Sequence, residues 1–289
     1  DKKEVEKITK KFPPYSDFNF TSLWVWDTGN QREVSCLNNN LVVKFTEYIT
    51  CKPIFSFLGI NKIEQTARKI IDFAKKNKVS SVLCFIPEEI AKNISNSSFS
   101  VKEDRDNFDY IFSISQLSAF RGRKYKTKRR GVNKFLTLYP NAVFKSEKSI
   151  NPILREHIVN LLQKWTVKKE SKREADNFGF KSEKKALRKI LQMENKNLII
   201  FTCFLNDNLI GFEIDEILLP KYAIAHFSKV DTLYSGINDF LNMKLSQYLK
   251  NKGVKFCNWE QDVGIENLRK SKMSAIIIII DTVLDVGTT

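Results

Sequence analysis

The chain has 289 residues, a formal net charge of +15 at pH 7 and a hydrophobic content of 42%, with 22 phenylalanines. This length suits two domains, and this composition excludes a largely disordered chain. The excess of lysine and arginine favours a polyanionic partner such as nucleic acid, a phosphorylated cofactor or an anionic membrane surface, although a solvated lysine-rich surface would give the same total.

The first half of the chain alternates short apolar strands with helices. The segment 17–25 leads into a strand, 63–76 places apolar side chains at helical spacing, and Pro87 opens a further helix. The predicted strands of this half are 33–37, 41–46, 54–58, 82–86, 99–102 and 110–114. A basic helix at 120–138 ends near Pro140, where we place the domain boundary.

The second half begins with a strand. The predicted order after that strand is helix, helix, strand, strand, strand, helix, strand, helix, strand. Its predicted helices are 153–168, 183–193, 237–251 and 265–272. Its predicted strands are 143–146, 198–205, 209–217, 223–230, 254–259 and 275–280. Helices mixed among antiparallel strand pairs argue against a purely parallel sheet. We therefore predict an α/β (α+β) fold with mixed central sheets flanked by helices, in two domains, 1–140 and 141–289.

The cysteines and the lengths of the apolar runs indicate in which cellular compartment the protein is expected. The five cysteines are odd in number, lack a CxxC pair and mostly lie in apolar runs, which predicts buried free thiols in a reducing compartment. Two scattered histidines are too few for a metal site. The run at 275–280 is far shorter than the about 20 residues of a spanning helix, and the first residues do not resemble a signal peptide. We expect a cytoplasmic protein whose membrane contact is at most peripheral, with anionic lipid.

The segment FRGRKYKTKRRGVNK at 120–134 carries eight basic residues and no acid. Tyr125, Val132 and either Phe135 or Leu136 share one helical face, so the helix can dock on a core and expose its cations. Cations in the first turn oppose the helix dipole, and a bound phosphate would relieve that conflict. We predict phosphate or RNA binding; a solvated charge run is the alternative. The predicted ligands are Arg121, Arg123, Lys124, Lys128 and Arg129.

A predicted strand ends at Trp259 and delivers Glu260 and Asp262 to its C-terminal edge, where catalytic residues tend to collect in α/β sheets. These carboxylates could deprotonate an amine nucleophile or hold its ammonium group. Alternatively, Asp262 caps the helix that begins near Gly264. The neighbouring side chains predicted to bind substrate are Asn258, Arg269 and Lys272.

A third segment runs from the strand 223–230 through DTLYSG into a helix. A Ser-Gly turn at a helix start can present N–H groups to phosphate, so Ser235 and Gly236, with Lys229 before them, are candidate phosphate ligands. His226 is a candidate acid–base or substrate-binding residue, with a structural histidine as the alternative. No Walker loop, GxGxxG, HExxH or GxSxG occurs, which disfavours the corresponding enzyme classes.

Four segments resemble the C-terminal domain family of bacterial phosphatidylglycerol lysyltransferases. They are FPPYSDFNFTSLWVW at 12–26, GRKYKTKRRGVNKFLTLYP at 122–140, HFSKVDTLYSGINDFLN at 226–242 and NWEQDVGIENLRKSKMS at 258–274. The resemblance implies two GNAT folds in tandem, as in Fem-type aminoacyltransferases, where an aminoacyl group moves from a tRNA ester to an amine or a lipid hydroxyl. Ordinary GNAT enzymes use acyl-CoA, but the usual acetyl-CoA loop pattern, R/Q-x-x-G-x-G/A, is absent from both helix starts.

The leading hypothesis is therefore an aminoacyltransferase that uses charged tRNA and a small-molecule acceptor. Glu260 or Asp262 would position or deprotonate the acceptor, Tyr234 would protonate the leaving oxygen, and backbone N–H groups near 227–229 would polarise the acyl carbonyl. The working groove is expected where the two halves meet. An acyl-CoA-dependent N-acyltransferase and a non-catalytic phosphate- or RNA-binding protein on the same scaffold are the alternatives.

Overall fold

The computed structural model describes residues 2–46, 52–95, 97–171, 177–219, 221–274, 277–281 and 283–288. The chain forms two compact units. Unit 1 comprises Asp1–Tyr110 and Glu260–Thr289, and unit 2 comprises Ile111–Trp259. The predicted domains, 1–140 and 141–289, stay a prediction. The compact units differ from them in extent, because the last strand of the chain pairs within the first sheet and the basic helix packs within unit 2.

The elements before residue 109 are α1 Lys2–Thr9, α2 Phe20–Val25, β1 Glu33–Leu37, β2 Asn40–Thr46, β3 Pro53–Leu58, α3 Ile63–Lys76, β4 Val82–Pro87, α4 Glu88–Ala91 and β5 Phe99–Glu103. Then follow β6 Asp109–Ser113, α5 Ile114–Leu117, α6 Lys126–Leu138, β7 Val143–Glu147, α7 Pro152–Ser171, α8 Asn177–Ile190, β8 Leu198–Leu205, β9 Asn208–Leu219, β10 Tyr222–Val230, α9 Ile237–Asn251 and β11 Phe256–Asn258. The chain continues with α10 Glu266–Ser274, β12 Ile277–Asp281 and β13 Val283–Thr288.

Unit 1 contains a six-stranded mixed sheet in the order β1-β2-β3-β4-β13-β5. All neighbouring pairs are antiparallel except β3 and β4, which are parallel. The helix α3 presents Ala67, Ile70, Ile71 and Ala74 to the core, the face that its apolar spacing predicts. These side chains pack in one cluster with Phe45, Phe57 and other buried residues of the sheet.

Unit 2 also contains a mixed sheet, in which β6, β11, β10, β9, β8 and β7 lie side by side in that order. Only β10 and β11 are parallel among these pairs. On one face, α6 and α9 pack together through the stacked rings of Phe135 and Phe240, whose centroids are 4.5 Å apart. As predicted for the basic helix, Tyr125 and Val132 are buried, and of the two alternatives Phe135 is buried and Leu136 exposed.

The predicted mixed α/β class is confirmed. Each unit has the same succession of three antiparallel strands, a helix and a strand parallel to the third: β1-β2-β3-α3-β4 and β8-β9-β10-α9-β11. The halves show no obvious repeat in their sequences, so the shared order is a structural one.

The strand predicted from 17–25 is wrong. Ser16–Phe18 forms a 3-10 turn and Phe20–Val25 forms α2. The reason is local, because the Asn19 side chain accepts a hydrogen bond from the Ser22 N–H at 2.9 Å and caps the helix. A propensity for strand in this aromatic run is thus overridden by the cap.

Three expectations concern membrane-spanning helices, metal sites and cysteines. Among the helices of the described residues, none has the length and apolar character needed to span a bilayer. Within the same part of the chain, no three His, Cys, Asp or Glu side chains are arranged to hold a metal ion. Four cysteines are free thiols: Cys203 and Cys257 are buried, Cys84 is half-buried and Cys36 is exposed, while Cys51 lies outside the described residues.

Candidate active site

Two of the segments that carry the family resemblance meet in unit 1. Gln261 Nε2 donates to Asp17 Oδ2 at 2.5 Å, and Ser22 Oγ donates to Glu260 Oε1 at 3.4 Å. The paired residues are 244 and 238 positions apart in the sequence. The fold therefore brings the capped N-terminal segment against the loop that contains the predicted carboxylates.

A third carboxyl group belongs to the same cluster. Asp109 accepts from the backbone N–H and the hydroxyl of Ser16 at 2.8 and 2.6 Å. Burial, and then the charge of Asp109, raises the pKa of Asp17 to about 8, while the hydrogen bond from Gln261 and the charge of Arg32 act in the opposite direction. Asp17 is therefore mostly protonated at neutral pH.

The loop at 260–264 has a strained backbone. The φ angle is 56° at Glu260, 47° at Val263 and 75° at Gly264. Left-handed backbone is unfavourable for any residue with a Cβ and especially for a β-branched one. Such strain persists only where the surroundings hold it, and it tends to collect at functional sites.

Asp262 anchors this loop. Arg269 binds its carboxylate through two bonds, Nε to Oδ2 at 2.9 Å and Nη2 to Oδ1 at 2.7 Å, and Gly264 N–H donates to Oδ1 at 3.0 Å. Tyr110 Oη and Arg105 Nη1 also donate to Oδ2. Burial raises the pKa of Asp262, but the bonds from Arg269, Tyr110 and Gly264 outweigh it, so the net pKa is lowered.

An ionised carboxylate with this many donors makes a poor proton acceptor. The geometry therefore supports an anchoring role for Asp262, in line with the alternative that it caps the helix that begins near Gly264. The two cations predicted to bind substrate act on the same loop. Arg269 also binds Asp106 Oδ1 at 2.6 Å, and the buried Lys272 donates to the carbonyl oxygens of Glu260 and Gln261 at 3.0 and 2.6 Å. Both side chains therefore brace the backbone around Glu260.

In unit 2, β10 and β11 pair only over 222–224 and 256–258, and β10 then continues without β11 beside it to Val230. The β9–β10 register shifts between Ala225 and Phe227, which makes His226 a bulged residue. His226 is buried with Nε2 at 3.3 Å from Glu216 Oε2. This pairing fits the structural alternative for His226, and its catalytic role stays a prediction.

Two further predicted ligands of unit 2 are engaged inside the fold. Lys229 Nζ lies 2.6 Å from Glu183 Oε1 and 4.2 Å from the centre of the Trp165 ring. Asn258 is fully buried in β11, opposite Ile224. The predicted phosphate contact of Lys229 and substrate contact of Asn258 stay predictions that neither environment favours.

The basic segment keeps most of its cations in solvent. Lys128 pairs with Asp239 at 3.1 Å, and Arg129 Nη1 donates to the carbonyl oxygens of Phe120 and Gly122. Both side chains therefore fasten the start of α6. The exposed cations are Arg121, Arg123, Lys124, Lys126, Arg130 and Lys134.

The start of α9 packs against α6. Gly236 has φ 86°, and a Cβ there would overlap the carbonyl oxygen of Gly131, while a Cβ on Gly131 would overlap Asp239 Oδ2. Asp239 also lies in the first turn of α9, where a carboxylate favours the positive end of the helix dipole. The predicted phosphate site at Ser235 and Gly236 stays a prediction, and a side-chain carboxylate already occupies the first turn.

Tyr234 precedes this helix, and a pair of buried acids, Glu213 and Asp215, lies on β9. The Tyr234 ring packs edge-on against Tyr139, with centroids 5.3 Å apart. On β9, burial raises the pKa of Glu213 to about 7, and burial with the charge of Glu213 raises that of Asp215 further above its usual range. Both acids are at most 2% exposed.

The sequence of the chain matches the family model "Phosphatidylglycerol lysyltransferase, C-terminal" over residues 9–274. The chain belongs to this family. A comparison with curated proteins finds no match. The predicted resemblance is therefore confirmed by a match that includes all four quoted segments.

Solved structures show the fold of the family. A conserved protein of unknown function from Bacteroides thetaiotaomicron VPI-5482 superposes with a TM-score of 0.86 at 23% identity, covering 100% of this chain and 97% of that one. The L-PGS from Bacillus licheniformis gives 0.66 at 12% identity, covering 99% and 91%. The C-terminal domain of a putative lysylphosphatidylglycerol synthetase from Agrobacterium fabrum gives 0.62 at 10% identity, covering 98% and 90%.

These likenesses show that the chain shares its fold with these proteins. The family match supports an acyltransferase-type function for this chain. The segment 12–26 is one of the four that carry the predicted resemblance, but no role is assigned to Asp17 within it from the sequence. Asp109 is not identified from the sequence either. No local signal marks either acid, because aspartate is rarely buried unless paired, and the partners Ser16–Asp109 and Asp17–Gln261 are 93 and 244 positions apart.

Proposed function

We propose that this family member transfers an aminoacyl group from charged tRNA to an amine or hydroxyl acceptor. The observation that carries the proposal is the strained, braced loop that holds Glu260 in the carboxyl cluster. A carboxylate on a backbone held in this way suits general-base catalysis, because the backbone needs little reorganisation when the acceptor gives up its proton.

The bond changes follow from ester chemistry. The acceptor nitrogen or oxygen bonds to the carbonyl carbon of the aminoacyl ester, and the bond from that carbon to the ribose oxygen breaks. The acceptor's proton passes to Glu260, and the ribose oxygen gains a proton. Tyr234 as the donor of that second proton, and the N–H groups near 227–229 as supports for the carbonyl oxygen, stay predictions.

The choice of donor is supported by unit 2. A CoA thioester would bring its phosphates to a helix start, but the first turn of α9 holds Asp239 and packs against Gly131. The exposed cations of α6 instead suit an extended phosphate backbone. For the same electrostatic reason they would suit anionic lipid, the second predicted partner.

The test presents both donors to the purified protein. We expect radiolabelled aminoacyl groups to leave charged tRNA when amines or phosphatidylglycerol vesicles are supplied, with the label recovered in the amide or lipid fraction. Acetyl-CoA should release no thiol. Affinity for tRNA should fall roughly tenfold between 50 and 200 mM salt for every two phosphates contacted.

Two results would contradict the proposal. Thiol release from acetyl-CoA with no loss of label from tRNA would favour the acyl-CoA-dependent transferase. Salt-dependent binding of tRNA without consumption of either donor would favour the non-catalytic binding protein.

A further inference from the structure

The carboxyl cluster of unit 1 contains an oxygen that the fold leaves unsatisfied. Asp17 is 5% exposed, its Oδ2 accepts from Gln261, and its Oδ1 is buried without a hydrogen-bond partner in the part of the chain that the structure describes. A buried polar atom in this state costs free energy comparable to a lost hydrogen bond, and such exceptions point to a bound ion, a water or a functional role.

The charged groups around Asp17 disfavour a bound anion and offer no contact that suits an apolar ligand. The carboxyl groups of Asp109 and Glu260 both raise its pKa, and Arg32 is the cation that lowers it. Arg32 Nη1 donates to the carbonyl oxygens of Ser22 and Leu23. None of these bonds reaches Asp17 Oδ1, so the cluster has capacity for one further positive group.

Glu260 gives the cluster its accessible side. It is half-buried, whereas Asp17 is buried, and the bond between its Oε1 and Ser22 Oγ is long at 3.4 Å. A ligand that donates hydrogen bonds to Glu260 can displace this weak contact and lie next to Asp17. The backbone of Glu260 can stay in place when the ligand binds, because Lys272 donates a hydrogen bond to the Glu260 carbonyl oxygen.

We propose that Asp17 and Glu260 form a binding site for a primary ammonium group. An ammonium has three N–H donors and one positive charge, which matches two carboxyl groups with an unsatisfied oxygen. The identity of the ligand rests on the proposed function: the ammonium belongs either to the aminoacyl group of the donor or to an amine acceptor.

Proton release is a specific consequence. At pH 7 Asp17 is mostly protonated in the free protein, and an adjacent ammonium lowers its pKa by favouring the carboxylate. The groups that face it are Asp109, Glu260, Arg32 and Gln261. Binding should therefore release up to one proton and should strengthen from pH 6 to pH 8, as long as the ligand amine stays charged.

Calorimetric titration tests the site without any turnover. The probes are alaninamide, butylamine and N-acetylalaninamide, measured at pH 7 in buffers of different ionisation enthalpy. We expect an ammonium probe to bind with proton release and the acetylated probe to bind at least tenfold more weakly. Alaninamide binding alone assigns the site to the aminoacyl group, and equal binding of butylamine assigns it to an amine acceptor.

Three variants complete the test. Asp17→Asn and Glu260→Gln should each weaken the ammonium probe about tenfold or more, since each removes a charge-assisted hydrogen bond. Asp215→Asn is the matched control, because it removes an equally buried acid of unit 2 and should leave affinity within twofold. If Asp17→Asn does not fold, Glu260→Gln alone decides the outcome.

The proposal is overturned if the wild type binds the acetylated probe as tightly as alaninamide, or if Glu260→Gln binds the ammonium probe as tightly as the wild type. It is also overturned if Mg²⁺ or Ca²⁺ displaces the ammonium probe stoichiometrically, which would make this a divalent-cation site. Ammonium binding without aminoacyl transfer would leave the site in place and remove the proposed function.

Discussion

The two units repeat one order of strands and helices but treat their charged side chains differently. In unit 2 the candidate residues Lys229 and Lys128 each pair with a carboxylate, and His226 Nε2 lies 3.3 Å from Glu216 Oε2. In unit 1 three carboxyl groups converge beside a strained loop, and one of them, Glu260, is half-buried. Unsatisfied carboxyl oxygens occur in both units, on Asp17 in unit 1 and on Glu213 and Asp215 in unit 2, but the two acids of unit 2 are at most 2% exposed. The difference between the units is therefore that the cluster of unit 1 includes a carboxylate that a ligand can reach.

The helix contact in unit 2 should be the most sensitive to a single methyl group. Gly236→Ala is expected to cost about 3 kcal/mol of unfolding free energy, because left-handed backbone is unfavourable for alanine and the new Cβ overlaps Gly131. Gly122→Ala is the comparison in open space. Its φ of 93° and ψ of 169° lie in a region that is essentially restricted to glycine, so backbone strain alone should cost about 1–3 kcal/mol there. Chemical denaturation measures both, and a cost of Gly236→Ala below about 1 kcal/mol would show that α6 and α9 do not pack closely.

The loop anchor of unit 1 should show in stability against pH. Asp262→Asn is expected to destabilise by about 2 kcal/mol at pH 7, because it weakens the charge-assisted bonds from Arg269. The lowered pKa means that the wild type has this stability above the usual aspartate pKa near 4 and loses it as pH falls further. The two proteins should therefore converge in stability below about pH 4. Parallel curves down to pH 2 would rule out this role.

Asp17 should show the opposite dependence. Its pKa of about 8 in the folded protein lies above the usual value, so its stabilising contribution is present when it is protonated and is lost as pH rises from about 4 to 8. We expect Asp17→Asn to gain stability relative to the wild type across that range and to level off above it. Thermal unfolding at several pH values measures this difference, and a constant difference would contradict the burial of Asp17.

The smallest effects belong to the exposed cations of α6. Arg130→Gln with Lys134→Gln should weaken tRNA binding several-fold at 100 mM salt and lower the slope of log K against log salt by about one to two, with little change in stability. Lys10→Gln, whose lysine pairs with Glu6 on α1, is the surface control. Unchanged slopes would exclude α6 from the phosphate contacts.

Local signals account for what the sequence predicted well. The spacing of Ala67, Ile70 and Ile71 predicts the buried face of α3, and the apolar face of the basic helix is buried at Val132 and Phe135. The family segments and the mixed fold class were also predictable. The periodicity of hydrophobic residues is a strong signal of secondary structure over helices of this length.

What the sequence could not predict depends on contacts between distant residues. Asp262 and Arg269 stay predictions as catalytic and substrate-binding groups. Their bonds to each other, and the bonds of Asp262 to Arg105 and Tyr110 across more than 150 positions, could not be foreseen. The Asn19 cap turned an expected strand into α2. A single sequence also does not reveal that Asp17 lacks a partner for one oxygen, because that follows from packing alone.

The most direct test of the account is the single-turnover rate of aminoacyl transfer for Glu260→Gln beside His226→Gln. If the chemistry depends on the carboxyl cluster of unit 1, Glu260→Gln should slow transfer by about 10²–10⁴-fold at saturating tRNA, and His226→Gln should slow it by less than about tenfold. Equal losses, or a larger loss for His226→Gln, would contradict the difference between the two units.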